Sequence, residues 1–173
     1  FGCGKSGDAI NFLMEYKNIG YIQAIKFLSE KYNIPIEEDS KTFEKPVPRL
    51  EILQPDTIKY FESRGISNNT LLRFGITECI EWMPKANIEV KTICFNYFKD
   101  EELVNIKYRA KGRDFKLSKN AELIFYNLDA IKDETTVIIV EGEIDCLSFV
   151  EVGIKNCVSV PNGAKNFDFI DQC

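Results

Sequence analysis

Val137-Ile138-Ile139-Val140-Glu141-Gly142-Glu143-Ile144-Asp145 runs four apolar residues straight into a glycine set among three carboxylates. A continuous apolar tetrad is what a parallel strand buried on both faces requires. Past it, Ile144, Leu147 and Val150 recur on one helical stripe between Glu143 and Val152, Gly153 supplies a stop, and Cys157 to Val160 reads as a second short strand. Strand, helix and strand make a βαβ unit. Its chemistry is expected in the loop at the carboxyl end of the first strand, which here holds Glu141, Gly142 and Glu143. Glu141, Glu143 and Asp145 are costly to hold together without a cation, and hard oxygen donors of this kind suit Mg²⁺. An ordinary acidic helix start, favoured by the helix dipole, explains the same residues. Pro161-Asn162-Gly163 reads as a turn that can lie near the same crevice.

Immediately upstream the charge reverses. Lys107, Arg109, Lys111, Arg113, Lys116 and Lys119 face a single acid, Asp114, a local net of +5 in a chain whose total is −5. The segments Lys91 to Tyr97, Leu103 to Arg109 and Arg113 to Leu117 are short, rich in β-formers and separated by turn residues, which predicts an antiparallel meander. On an extended strand Lys107, Arg109 and Lys111 share one face, and Lys116 can join them from the partner strand to form a phosphate-attracting ridge. A solvated hairpin edge kept soluble by lysines is the plainer reading. Alternation places Tyr108 and Phe115 in the core rather than against bases.

Further upstream, Pro55 to Arg64 and Ser67 to Phe74 read as two short helices stopped by Gly65 and Gly75. Residues 37–49 are charged and proline-bearing, as in a linker. Ile10, Leu13 and Met14, capped at Asp8, and then Ile22, Ile25, Leu28 and Tyr32 after a break at Gly20, predict a helical hairpin over residues 8–36. Gly2-Cys3-Gly4-Lys5-Ser6-Gly7 formally fits GxGxxG and echoes the end of a P-loop, but two helices follow it where those motifs need a strand and a sheet. A glycine-rich turn and the last knuckle of a zinc ribbon remain open. If Cys3 is a zinc ligand, the others lie upstream.

The 173 residues are 45% apolar and 28% charged, enough for one ordinary domain or two small ones. With no His in the chain, His-based triads, Cys/His dyads and His-ligated metals are excluded within it. No apolar run approaches the ~18 residues of a membrane span. Six scattered Cys without a CxxC pair point to reduced thiols acting as small hydrophobes in a cytosolic setting. A start at Phe1, without Met and inside a Gly/Cys cluster, suggests a fragment of a longer protein.

Taken together the residues resemble the primase part of replicative DNA primases, especially the fused primase-helicases of bacteriophages and their mitochondrial relative Twinkle. Phe1-Gly2-Cys3-Gly4, Gly7-Asp8-Ala9-Ile10, Phe12 and the Ala24 to Tyr32 helix look like the tail of the family's CHC2-type zinc ribbon. Tyr60-Phe61, Ser63-Arg64-Gly65-Ile66-Ser67 and Phe74-Gly75-Ile76 look like the segment before its catalytic core. Asn105-Ile106-Lys107-Tyr108-Arg109 with Phe115-Lys116 resembles its basic hairpin. Val140-Glu141-Gly142-Glu143-Ile144-Asp145 with Ser159-Val160-Pro161-Asn162-Gly163-Ala164 resembles the opening of a TOPRIM domain, and that string, in that order, is the most specific part.

The resemblance implies an α/β chain, α+β overall. A zinc-ribbon end with its helical hairpin would fill 1–36, a linker 37–49, a primase N-terminal subdomain with the antiparallel meander 50–135, and a partial Rossmann-like TOPRIM βαβ unit 136–173. By resemblance Glu141 would be the catalytic TOPRIM glutamate and a ligand of Mg²⁺ (or Mn²⁺), with Asp145 a further candidate and Cys3 a Zn²⁺ ligand. Lys107, Arg109, Lys111, Arg113 and Lys116 would hold nucleotide or template phosphates. The implied partners are a single-stranded DNA template, ribonucleotides and a replicative helicase, fused or separate, in the replisome of a bacterial or phage-infected cell, with no membrane. The family's Asp-x-Asp metal pair would follow on the next strand. Phe167 to Gln172 only begin the helix before it, and Asp168 and Asp171 are not that pair, so these residues alone are expected not to prime. The rival reading is a non-catalytic single-stranded-DNA-binding module of a Twinkle-like helicase. A TOPRIM nuclease or topoisomerase would need neither Cys3 with its helical hairpin nor the basic hairpin.

Overall fold

The computed structural model describes residues 7–35, 42–48 and 52–163. Cys3 with Gly2 and Gly4, residues 37–41 and 49 of the expected linker, and everything from Ala164 onward lie outside the described residues. The chain divides into two units, residues 1–42 and 43–173.

The first unit is a pair of helices. Asp8 starts α1 (Ala9–Lys17) by accepting the N–H groups of Ile10 and Asn11, each at 2.9 Å, and Asn18 in the left-handed region ends it. Gly20 starts α2 (Tyr21–Tyr32), donating its N–H to Gln23 Oε1 at 3.3 Å, and Asn33 ends it in the same left-handed way. Leu13 and Ala24 are buried.

The second unit opens with α3 (Pro55–Glu62) and α4 (Asn68–Arg73). Pro55 fits the first turn, and Gly65 and Gly75 take positive φ values just past the two helices, where a side chain would be strained. Four antiparallel strands follow in chain order: β1 (Thr77–Met83), β2 (Ile88–Lys99), β3 (Glu102–Ala110) and β4 (Asp114–Leu117). The expected meander thus has one more strand. β1 escaped notice because Glu78 and Glu81 interrupt its apolar pattern, and both acids turn out to be partnered. Glu78, 2% exposed, accepts from the Gln54 N–H at 3.0 Å and from the Thr57 hydroxyl, which anchors α3 to the sheet.

The sheet curls until its two edges touch. Asp114 on β4 accepts the N–H groups of Lys85 at 3.1 Å and Ala86 at 2.9 Å, in the turn between β1 and β2, and Lys116 pairs with Glu81 at 2.7 Å. Inside the curl Cys79, Met83, Cys94, Ile106, Tyr108 and Ala110 form a small core. The other face of the sheet carries the larger core, in which Phe61, Phe95, Tyr97 and Tyr126 meet edge to face. Each such contact contributes about 0.5–1.5 kcal/mol beyond area burial.

The chain then makes a short 3₁₀ turn (Leu128–Ile131) and enters the βαβ unit: β5 (Ile138–Val140), α5 (Glu143–Glu151) and β6 (Cys157–Ser159), with β5 and β6 parallel. Tyr126 joins β6 from the other side, donating its N–H to the Ser159 carbonyl at 2.9 Å, which ties the strand pair to the aromatic core. One expectation needs correcting. β5 is not buried on both faces: Ile139 is 37% exposed, and among the described residues β6 is the strand paired with it. The four Cys residues described, Cys79, Cys94, Cys146 and Cys157, are free and buried.

Candidate active site

Two elements meet at the carboxyl end of β5. The Val160 N–H donates to the Val140 carbonyl at 3.1 Å, so the turn at Pro161 to Gly163 lies beside Glu141. Opposite stands the β3–β4 hairpin. Between them is a cleft of about 670 Å³ whose walls include Glu141, Asp145, Lys107, Arg109, Arg113 and Phe115. Carboxylates therefore line one side and guanidinium groups the other.

Glu141 follows the strand directly and is exposed, with no hydrogen bond or ion pair among the described residues. Gly142 is the first cap of α5 and permits a close approach: a Cβ there would lie 3.1 Å from Asp145 Oδ2. Glu143 behaves differently. It is 3% exposed, and its Oε1 accepts from both Lys107 Nζ at 2.6 Å and the Tyr97 hydroxyl at 2.5 Å. Helix geometry requires the split, because Glu143 and Asp145 are about 200° apart around α5 at 100° per residue. Burial, and then the charge of Glu143, push the Tyr97 phenol well above its ordinary pKa, so it stays a donor.

The strand register sorts the cations. Phe95 pairs with Lys107 and Phe115 with Arg109, so all four lie on the face that looks toward α5. Phe115 sits between the charges, its ring centroid 5.4 Å from Lys107 Nζ and 5.3 Å from Arg109 Cζ. Arg109 also donates from Nη2 to the Tyr60 hydroxyl at 3.2 Å. Arg113, in the left-handed region at the hairpin turn, is exposed at the rim of the cleft.

Residues 1–44 match the CHC2 zinc finger family. The chain is 39% identical to the Twinkle homolog protein, chloroplastic/mitochondrial, of Arabidopsis thaliana over 75% of its own length and 18% of that protein. It is 28% identical to the DNA primase of Clostridium acetobutylicum over 92% of its length and 36% of that protein. The fold matches the zinc-binding and RNA polymerase domains of the Aquifex aeolicus primase with a TM-score of 0.54 at 19% identity, covering 95% of this chain and 54% of that one. The chain is DNA primase-like.

The primase-like chain thus spans well under half of these two curated relatives. The amino-terminal match supports Zn²⁺, although Cys3 lies outside the described residues. No helix among the described residues is long and apolar enough to cross a membrane.

Placed in this structure, the five basic residues of the expected ridge separate. Lys107 and Arg109 share a face, as alternation requires. Lys111 does not extend that face: β3 ends at Ala110, and Lys111 is exposed in the turn. Lys116 pairs across from Tyr108, hence on the inner side of the curl, where its ammonium meets Glu81 and the Trp82 carbonyl. Phe115 is 40% exposed at the cleft and not core, whereas Tyr108 is core at 5%. The carboxylate cluster also divides. Glu141 and Asp145 face the cleft, while the charge of Glu143 is met by Lys107 without a metal. Among the described residues no group of three acidic or cysteine side chains stands ready for a metal ion. Tyr97 and Tyr60 are not marked by the sequence as site residues, nor is the pairing of Glu143 with Lys107. The helical offset between Glu143 and Asp145 was a usable signal for the first pairing, but nothing local marks Tyr60 as a partner of Arg109.

Proposed function

We propose that the cleft is the nucleotidyl-transfer site of a primase, and that the whole protein uses it to make short RNA primers on single-stranded DNA. One observation carries this reading: an exposed Glu141, unpartnered among the described residues, at the end of a parallel strand shares a cleft with the guanidinium groups of Arg109 and Arg113. Glu141 is placed to take the proton from an attacking 3′ hydroxyl. Arg109, Arg113 and the ammonium of Lys107 are placed to hold the phosphates of a ribonucleotide or of the template. Glu141 and Asp145 are the residues that would bind Mg²⁺ or Mn²⁺, which when present would neutralise charge on the phosphates. They form part of a donor set, two carboxylates on one wall. Cys3 is proposed as a Zn²⁺ ligand, with the zinc ribbon helping to read the template. A replicative helicase, fused or separate, is the proposed protein partner.

Template-dependent synthesis by the intact protein, followed with labelled ribonucleotides on a single-stranded template, tests the reading. RNA primers that require both template and divalent metal are expected. Tight single-strand binding without any RNA product would replace the enzyme with the DNA-binding module of a Twinkle-like helicase.

A further inference from the structure

Of the acids in the 141–145 segment, all of which line the cleft, Glu143 alone is buried, and it is bonded to a second lining residue. Its carboxylate, 3% exposed, holds Lys107 Nζ at 2.6 Å and the Tyr97 hydroxyl at 2.5 Å on the same oxygen. Lys107 is 9% exposed and forms part of the inner wall. A lysine on a solvated hairpin samples many rotamers and loses about 2 kcal/mol of that freedom when a ligand fixes it. Here the stem is packed in the sheet and the head is fixed before any ligand arrives. An ammonium has three N–H donors, and Glu143 takes one. Its charge is also compensated at the back, so an empty cleft does not hold an unpaired buried cation.

We propose that Glu143 is a positioning residue: together with Tyr97 it fixes the ammonium of Lys107 at one point on the cleft wall, with N–H donors left to bind a phosphate oxygen of a nucleotide. This rests on the reading of the cleft as a nucleotide site. With its Oε1 engaged by Lys107 and Tyr97, Glu143 acts on the nucleotide through Lys107. The acidic run after β5 therefore has two tasks on opposite sides of one helix, with Glu141 and Asp145 facing the cleft and Glu143 supporting its opposite wall.

A double-mutant cycle in the intact protein tests this, with ATP as the probe and equilibrium titration as the measurement. Glu143→Gln keeps the size and an acceptor oxygen but removes the charge. It should weaken ATP binding about tenfold, the equivalent of one charge-assisted contact. In a Lys107→Met background the same change should alter binding less than about twofold, since the residue it acts through is gone. A purely structural role would weaken ATP binding equally in both backgrounds, and that outcome overturns the proposal. If Lys107→Met alone leaves ATP binding unchanged, the nucleotide-site reading beneath the proposal fails instead. Should Glu143→Gln not fold, Tyr97→Phe removes one donor to the carboxylate and keeps both charges. A loss of roughly two- to fivefold that disappears with Lys107→Met supports the proposal, and a loss that persists contradicts it.

Discussion

The basic hairpin allows a prediction that composition alone would get wrong. Five cations between Lys107 and Lys116 would, if all were free, release five counterions on binding single-stranded DNA. The structure reduces that number. Lys107 is neutralised by Glu143 and Lys116 by Glu81, at 2.6 and 2.7 Å, and Lys111 lies in the turn away from the cleft. Arg109 and Arg113 line the cleft with no carboxylate partner among the described residues. Each phosphate contact on a single strand contributes about −0.7 to the slope of log K against log salt. Arg113→Ala should therefore make the slope shallower by about 0.7, and Arg109→Ala with Arg113→Ala by about 1.4. Lys116→Ala should change it by less than ~0.2, because its charge is already balanced inside the protein. Fluorescence anisotropy of a labelled oligothymidylate, titrated at four salt concentrations between roughly 50 and 200 mM, has the resolution required. A Lys116→Ala slope as shallow as that of Arg113→Ala would refute this division of the charges.

Two further predictions follow from the residues around the carboxylates. Gly142→Ala places a Cβ about 3.1 Å from Asp145 Oδ2, so the carboxylate must swing away; primer synthesis should fall while urea unfolding shows a loss of about 1 kcal/mol or less, and a loss several times larger would mean that Gly142 serves the fold. The Tyr97 phenol has its pKa raised by burial and by Glu143, so above pH ~10 the unfolded chain releases a proton that the folded chain keeps, and stability should fall by up to about 1.4 kcal/mol per pH unit for this group. In Tyr97→Phe that part of the alkaline slope should vanish, as read from urea midpoints between about pH 9 and 11; an unchanged slope would contradict the assignment.

The fold was legible wherever a local pattern has a local cause. Asp8, Pro55, Gly65 and Gly75 mark helix ends because capping, a fixed φ and a left-handed φ are properties of one or two residues. The βαβ unit was legible because an apolar tetrad followed by a helical stripe has few alternatives. β1 was not, because Glu78 and Glu81 are satisfied by α3 and by β4, partners far along the chain. The site divided in the same way. Alternation correctly put Lys107 and Arg109 on one face, but placing Lys116 with them assumed a flat hairpin, and the curl sends its head to Glu81. Which of the three acids meets a lysine depends on what covers the sheet, and that is decided by tertiary packing.

The central claim is that Glu141 does chemistry in the cleft that the cations form, and Glu141→Gln in the intact protein tests it most directly. Template-dependent primer synthesis should fall by a factor on the order of 10² or more, the contribution typical of a positioned proton acceptor, while single-strand affinity and its salt slope stay at the wild-type values. Primers made at the wild-type rate by that variant would contradict the account.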